Sequence, residues 1–231
     1  MNKIEDIFSR MIDLIGIDNF NKINNKTVMV IGVGGVGGFV VEGLARAGVG
    51  NFILIDGDVV SVSNINRQII ALNSTIGKRK VDVIKERILD INPYAVVENR
   101  FEFLNAESVE NMKISADYVI DAVDNVSVKI ALAVKKEKEG FNLISCMGTG
   151  NKISSDSFEI CDIYSTINCP LAKAIRKNLK RFNVKNLDVL FSKEEVIKTN
   201  ERTPKSISYV PSIAGLKISE FVIRKFLESE N

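Results

Sequence analysis

Four groups of residues in this sequence have types and spacings suited to chemistry: the glycines Gly32, Gly34, Gly35 and Gly37, the aspartate Asp56, the cations Arg67 and Lys80, and the aspartate Asp124. The glycines follow Thr27-Val-Met-Val-Ile31, an unbroken β-branched or apolar run that predicts a strand buried on both faces. A helical stretch from Val36 to Ala47 comes next and stops at Gly48. A glycine turn between strand and helix lets backbone N–H groups approach a phosphate, with the positive end of the helix dipole facing the negative charge. The plainer reading is that the glycines only allow the helix to pack closely on the strand. Gly32, Gly34 and Gly37 also fit a dinucleotide spacing, so at this point NAD and ATP are both open.

Asp56 closes the second predicted strand, where a carboxylate in a βαβ unit accepts hydrogen bonds from ribose hydroxyls of NAD or ATP alike. The stretch Ser63-Asn64-Ile-Asn66-Arg67-Gln68, with Lys80 in Gly77-Lys-Arg-Lys80, discriminates between them. A dinucleotide pyrophosphate is already served by the glycine turn. A further arginine fork and a lysine point charge suit a triphosphate whose charge grows as pyrophosphate leaves. Asn64 is suited to an oxygen of ribose or phosphate. Lys80 taken alone reads as a solvated helix residue. Asp124 beside that growing charge makes sense as a ligand or neighbour of Mg²⁺, or otherwise as the cap of the helix that follows.

Composition removes other chemistries. With no histidine there is no histidine base, triad or imidazole ligand. Three cysteines, Cys146, Cys161 and Cys169, are too few for a disulfide framework and contain no C-x-x-C pair, so no zinc is expected. The net charge of +2 excludes a strongly basic nucleic-acid coat but permits a local basic face. No apolar run approaches the roughly 18 residues of a membrane span. The N-terminus lacks a signal-peptide core, so a cytoplasmic protein is expected.

The elements that position these residues read as a doubly wound, mostly parallel α/β fold. A leading helix ends near Gly16 and a short one runs Asp18 to Ile23. Strands are expected at Thr27–Ile31, Asn51–Ile55, about Ala95–Glu98, Tyr118–Asp121 and Asn142–Met147, with helices at Lys78–Ile91 and Val126–Glu139. Asp121-Ala-Val-Asp124-Asn125 falls at a strand's C-terminal end, where open parallel sheets hold ligands. Later elements are strands at Phe158–Ile160 and Asp188–Phe191, a helix at Pro170–Phe182, a charged loop over residues 193–206 and a closing helix at Ser212–Leu227. The chain reads as one domain over residues 1–231, with a nucleotide-binding core over 1–148 and an elaboration for substrate and dimer contacts over 149–231.

Taken together, the Gly32–Gly37 turn, Asp56-Gly-Asp58, Ser63-Asn-x-Asn-Arg-Gln68, Lys80 and Asp121-x-x-Asp124 resemble the ThiF/MoeB-type adenylating enzymes. The resemblance implies an ATP site built from Gly34, Gly35, Asp56, Asp58, Asn64, Arg67, Gln68, Lys80 and Asp124. Asp56 would hold ribose, Asn64, Arg67 and Lys80 the phosphates, and Asp124 Mg²⁺, with Arg67, Lys80 and Asp124 catalytic. It further implies a homodimer in which Arg10 reaches the partner's ATP. Ser145-Cys-Met-Gly-Thr-Gly-Asn-Lys152, Asp162-Ile-Tyr-x-Thr-x-x-Cys-Pro-Leu-Ala-Lys173, Phe191-Ser-Lys-Glu-Glu195 and Ser208-Tyr-Val-Pro-Ser212 look like the TcdA branch, the tRNA threonylcarbamoyladenosine dehydratases. The stretch from Val196 to Ser206 is short for that branch.

Dehydration would proceed by adenylation of the threonyl carboxylate and ring closure by a nucleophile of the same modified base. Well-oriented intramolecular attack has an effective molarity on the order of 10⁵ M or more, so no protein nucleophile is needed. Cys169, next to Pro170, reads first as a packed small residue and second as a nucleophile. Lys173, Arg176, Lys177, Lys180 and Arg181 share one side of a helix whose other side carries Ala172, Ile175, Leu179 and Phe182. They form a candidate tRNA face that is also readable as a solvated one. The rival expectations are activation of the C-terminus of a ubiquitin-like sulfur carrier, an NAD-binding redox module and a non-catalytic nucleotide-dependent binder. A monovalent cation near residues 148–165 and sulfur-transfer partner proteins are left open.

Overall fold

The computed structural model describes residues 3–200 and 204–228. Seven strands form one sheet: β1 (Thr27–Ile31), β2 (Asn51–Ile55), β3 (Val96–Arg100), β4 (Tyr118–Asp121), β5 (Leu143–Cys146), β6 (Phe158–Asp162) and β7 (Asp188–Ser192), in the spatial order β3-β2-β1-β4-β5-β7-β6. All pairings are parallel except that of β6 with β7. The order reverses at β1, which has β2 on one side and β4 on the other. In register Ile31 faces both Ile55 and Asp121, so the three strands end level. Gly32, Asp56 and Ala122 therefore leave the sheet side by side, at the topological switch point where such sheets hold ligands.

Helices cover both faces. Alternation along β1 sends Val28 and Val30 into one core and Met29 and Ile31 into the other. The first core is closed by α3 (Ile17–Asn24), α4 (Gly37–Arg46), α5 (Lys80–Ile91) and α9 (Tyr209–Glu228), through residues such as Ile23, Leu44, Ile84 and Val222. The second is closed by α6 (Ala106–Asn111), α7 (Val126–Glu139) and α8 (Pro170–Arg181), through Val109, Leu132 and Ile175. Helix α9 lies tightly on α4. A Cβ on Gly215 would stand 2.4 Å from the Val36 carbonyl oxygen, and one on Gly43 would stand 2.3 Å from Ser219 Oγ.

Several elements depart from expectation. The leading helix is two pieces, α1 (Ile4–Ile7) and α2 (Ser9–Ile15), because Phe8 leaves helical geometry to bury its ring against Phe20, 5.3 Å between centroids. Helix α6 was not expected; Asn105 caps it by accepting a hydrogen bond from the Ser108 amide. Helix α9 starts at Tyr209 rather than Ser212, with Pro211 in its first turn, where the missing N–H costs nothing. Strand β6 runs to Asp162 and β7 to Ser192.

Candidate nucleotide-binding site

A cavity of about 770 Å³ opens over the C-terminal ends of β1, β2, β4 and β5. Its lining brings together Gly34, Gly35, Asp56, Asp58, Asn64, Arg67, Gln68, Lys80 and Asp124, all expected at the site from sequence. Arg10 does not line it; it lies exposed on α2.

The glycines divide into two kinds. Gly32 has φ +85°, and a Cβ there would meet the Ala122 carbonyl oxygen at 2.9 Å, while a Cβ on Gly37 would overlap the Gly32 carbonyl oxygen at 1.8 Å. These two are required by the turn and by the approach of α4 to β1. Gly34 and Gly35 are not: the nearest protein atoms would be 3.5 Å and 3.4 Å from an added Cβ, ordinary contact distances. Both line the cavity, so the absence of side chains there keeps open a floor of backbone at the start of α4. That floor suits a phosphate.

Asp56 is held between the turn and its own loop. Its Oδ2 accepts from the Val33 amide and its Oδ1 from the Asp58 amide, each at 2.8 Å. Each oxygen keeps a further lone pair for a ribose hydroxyl. Lys80 corrects the solvated reading: only 5% of it is exposed, and its ammonium lies 2.7 Å from Asp58 Oδ2. Its placement at the first turn of α5, with the Lys80 amide bonded to the Asp58 carbonyl, buries the stem and leaves the head among the cavity lining. The Arg67 guanidinium donates to the Ser63 carbonyl at 2.9 Å and to Asn66 Oδ1 at 3.0 Å, and has no carboxylate partner among the described residues. Asn64 is buried and turned inward, its Oδ1 accepting from the Ser61 amide, which makes it a brace of the loop. Gln68 is buried, and its Oε1 has no hydrogen-bond partner among the described residues.

Asp124 is exposed beyond β4 and makes no side-chain hydrogen bond or ion pair among the described residues. It does not cap α7; Asn125 does, accepting from the Ser127 and Val128 amides. A free carboxylate in this lining would suit Mg²⁺, which uses one or two carboxylates together with phosphate oxygens and water.

Three features of the site carried no signal in the sequence. Phe103 and Leu104, after β3, supply an apolar wall with Val123 and Val128 that suits a flat base. Lys129, 1% exposed, joins Asp121 Oδ2 at 3.1 Å, Ser145 Oγ at 3.3 Å and the Cys146 carbonyl at 2.7 Å, locking together the ends of β4 and β5 over which the cavity opens. Segment 204–206 closes one side: the Asn66 amide group donates to the Ser206 carbonyl at 3.1 Å, and the Lys205 amide donates to Asn151 Oδ1 at 2.6 Å. Sequence alone treats lysines as exposed and cannot bring residue 66 to residue 206.

Cys169, buried, forms the N-cap of α8 and accepts from the Ala172 amide at 3.5 Å. From that end, which lines the cavity, α8 runs outward with Lys173, Lys177, Lys180 and Arg181 exposed. Arg176 does not join them. Its guanidinium turns back to the Thr166 carbonyl at 2.8 Å, to Thr166 Oγ1 and to the Ile163 carbonyl. Phe182, expected on the packed side, is exposed because the helix ends before it. A smaller cleft lies at the other end of the strands, by Tyr118 and Asp188, the first residues of β4 and β7. No helix among the described residues is long and apolar enough to cross a membrane.

The ThiF family model matches residues 8–226. The tRNA threonylcarbamoyladenosine dehydratase of Bacillus subtilis is 40% identical over 240 residues, covering 96% of this chain and 94% of that protein. The crystal structure of E. coli tRNA N6-threonylcarbamoyladenosine dehydratase, TcdA, in complex with AMP superposes with a TM-score of 0.91 at 32% identity, covering 96% of this chain and 94% of that one. The same E. coli enzyme in complex with ATP gives a TM-score of 0.90 at 30% identity.

Proposed function

The chain belongs to the ThiF family, and we propose that it is an ATP-dependent tRNA threonylcarbamoyladenosine dehydratase. One observation carries the proposal: a cavity at the switch point gathers a bare backbone floor, Arg67, Lys80 and Asp124, in a chain similar along nearly its whole length to such dehydratases. ATP fits this lining. Its base would rest on the wall of Phe103, Leu104 and Val123, its ribose on Asp56, and its phosphates on the amides after Gly34 and on Arg67 and Lys80.

In the adenylation step a threonyl carboxylate oxygen attacks the α-phosphorus, and pyrophosphate leaves with the electron pair of the broken bond. Arg67 and Lys80 stabilise the charge that gathers on the leaving group; one such preorganised donor is commonly worth about 10²–10³ in rate. Asp124 would hold Mg²⁺, which supplies further charge neutralisation when bound. Ring closure within the modified nucleoside then displaces AMP. Burial pushes the Cys146 thiol up to about 12, so it stays a neutral packing group in this chemistry.

The exposed cations of α8 begin beside the cavity mouth and suit tRNA phosphates, with Arg176 left out as a structural residue. Arg10 and the exposed Leu14 and Ile17 lie near one another in the chain and suit a homodimer contact in which Arg10 reaches the partner's ATP. Incubation of purified protein with ATP and threonylcarbamoyladenosine-bearing tRNA, followed by mass spectrometry of the nucleosides, tests the proposal. The expected product has lost one water. An unchanged nucleoside, with pyrophosphate exchange supported instead by a ubiquitin-like carrier protein, would favour the sulfur-carrier reading.

A further inference from the structure

Four lysines among the described residues are buried, and three of them have a carboxylate: Lys80 meets Asp58, Lys129 meets Asp121 and Lys135 meets Glu139. Lys152, 4% exposed, has none among the described residues. Its ammonium donates to the Glu194 backbone carbonyl at 2.5 Å, which leaves two of three N–H groups to place. A buried ammonium without a counter-charge is costly, and burial accordingly holds the Lys152 pKa below the ordinary lysine value, against the opposing pull of Cys169 and Glu194.

The nearby carboxylate of Glu194 is already committed. Its two oxygens accept from the Ile153 amide at 3.1 and 3.2 Å and from the Ser154 amide at 3.0 Å. It fixes the turn that carries Lys152. The other side of that turn is fixed by Asn151, which stands in the left-handed region at φ 55° and is clipped to the Lys205 backbone in both directions, at 2.8 and 2.6 Å. The Ile197 amide adds a bond to the Asn151 carbonyl at 2.9 Å. Lys152 is thus a rigidly mounted cation. It lines the same cavity as the glycine floor, on the side that follows β5. The acids in the cavity lining, Asp56, Asp58, Glu102 and Asp124, follow β2, β3 and β4. The β5 side therefore offers an anion a cation, and the Glu194 carboxylate beside it is already taken up by the Ile153 and Ser154 amides and does not line the cavity.

We infer that Lys152 receives the threonyl carboxylate of the substrate and holds one of its oxygens toward the α-phosphorus of ATP. The inference rests on the dehydratase reading and names the acid-recognising residue within it. In the step it serves, the held oxygen forms a bond to the α-phosphorus, the bond from that phosphorus to the bridging oxygen breaks, and the electron pair departs with pyrophosphate. No proton moves. The carboxylate's negative charge is gone from the acyl group once the mixed anhydride forms, so the ion pair exists in the substrate complex and relaxes in the intermediate.

The test uses the full chain and a synthetic anticodon stem-loop bearing threonylcarbamoyladenosine, as the free acid and as its methyl ester, with a non-hydrolysable ATP analogue present. Wild type is expected to bind the acid at least about tenfold more tightly than the ester. Lys152→Gln should lose that preference and lower kcat/KM by about 100-fold, while its ATP affinity stays within about twofold. Lys152→Arg should keep the preference. A Lys152→Gln variant that still prefers the acid overturns the inference and leaves the dehydratase reading intact. Wild type that converts no modified tRNA overturns that reading first. Should Lys152→Gln fail to fold, wild type binding acid and ester equally would itself overturn the inference.

Discussion

Lys80 and Asp58 form an ion pair of 2.7 Å in which the lysine side chain is buried and the aspartate side chain is 55% exposed. The pair is one-sided: Asp58 can turn to solvent, whereas the Lys80 ammonium stays among the cavity lining. On the proposed reading, an arriving phosphate would meet a cation whose position is already fixed. Lys80→Ala is expected to lower ATP turnover on modified tRNA by about 10²–10³-fold with the fold intact. Steady-state kinetics and circular dichroism check it, and a rate near wild type would remove Lys80 from the reaction.

Asp124 makes no side-chain hydrogen bond or ion pair among the described residues, and Asn125 caps α7 in its place. Asp124→Asn is expected to leave thermal stability within about 0.5 kcal/mol of wild type, as for surface changes generally. Turnover should fall by about 100-fold and be partly restored by raised Mg²⁺, because a bound metal is worth several kcal/mol to the transition state. Loss of stability with unchanged turnover would reverse the assignment.

The two kinds of glycine separate experimentally. Gly35→Ala adds a methyl that meets no protein atom closer than 3.4 Å, so folding should be little changed. ATP affinity should drop at least about tenfold, since one misplaced methyl in a fitted site is worth about 1–3 kcal/mol. Gly37→Ala overlaps the Gly32 carbonyl at 1.8 Å and should instead cost about 3 kcal/mol of stability. Chemical denaturation together with calorimetry of ATP binding distinguishes the two outcomes.

For the tRNA face, Lys173, Lys177 and Lys180 replaced together by alanine should weaken tRNA binding and reduce the slope of log affinity against log salt by about 2–3. Arg176→Ala should leave the slope alone and lower stability, because it strips the Thr166 carbonyl of its Arg176 donor and removes one of the donors to the Ile163 carbonyl. An unchanged slope in the triple variant would take α8 out of the interface.

Glu42 on α4 accepts from Arg87 on α5 at 2.6 and 3.0 Å and from Arg46 at 2.6 Å. Burial works to raise its pKa, but the hydrogen bonds and charges of Arg87 and Arg46 prevail and hold it below the ordinary 4.5. A depressed folded value means the contribution is present above the unfolded pKa and fades as pH falls through the folded one. Glu42→Gln should therefore cost about 2 kcal/mol at neutral pH, a gap that closes below about pH 4.5 in urea titrations. A gap independent of pH would mean that shape rather than charge is what Glu42 contributes.

Much of the α/β core was legible because its signals are local. The apolar run before Gly32, the Asn92-Pro93 stop and the Gly140 terminator each act within a few residues. Helix α6, Ala-Glu-Ser-Val-Glu-Asn, was not legible, since one buried valine in a six-residue polar stretch makes no periodicity. Gathering Gly34, Asp56, Arg67, Lys80 and Asp124 in one cavity follows from strand ends that finish level, so motif and topology agree there. The individual roles of lysines and arginines were harder to read. A helical wheel puts Arg176 beside Lys173 and Lys180, and only the fold brings the carbonyls of residues 163 and 166 within its reach. Lys152 likewise reads as one more surface charge until Glu194 is found spending its carboxylate on backbone amides.

Strand β6 touches only β7 in the sheet, and β7 comes later in the chain. During synthesis on the ribosome, residues 158–162 must therefore wait, edges bare, until residues 188–192 have emerged. The helix that begins at the glycine floor waits longer still, because its neighbour α9 is made after every strand. A translating ribosome stalled before residue 209 would carry a nascent chain with its sheet sequence complete and its nucleotide pocket still unsupported.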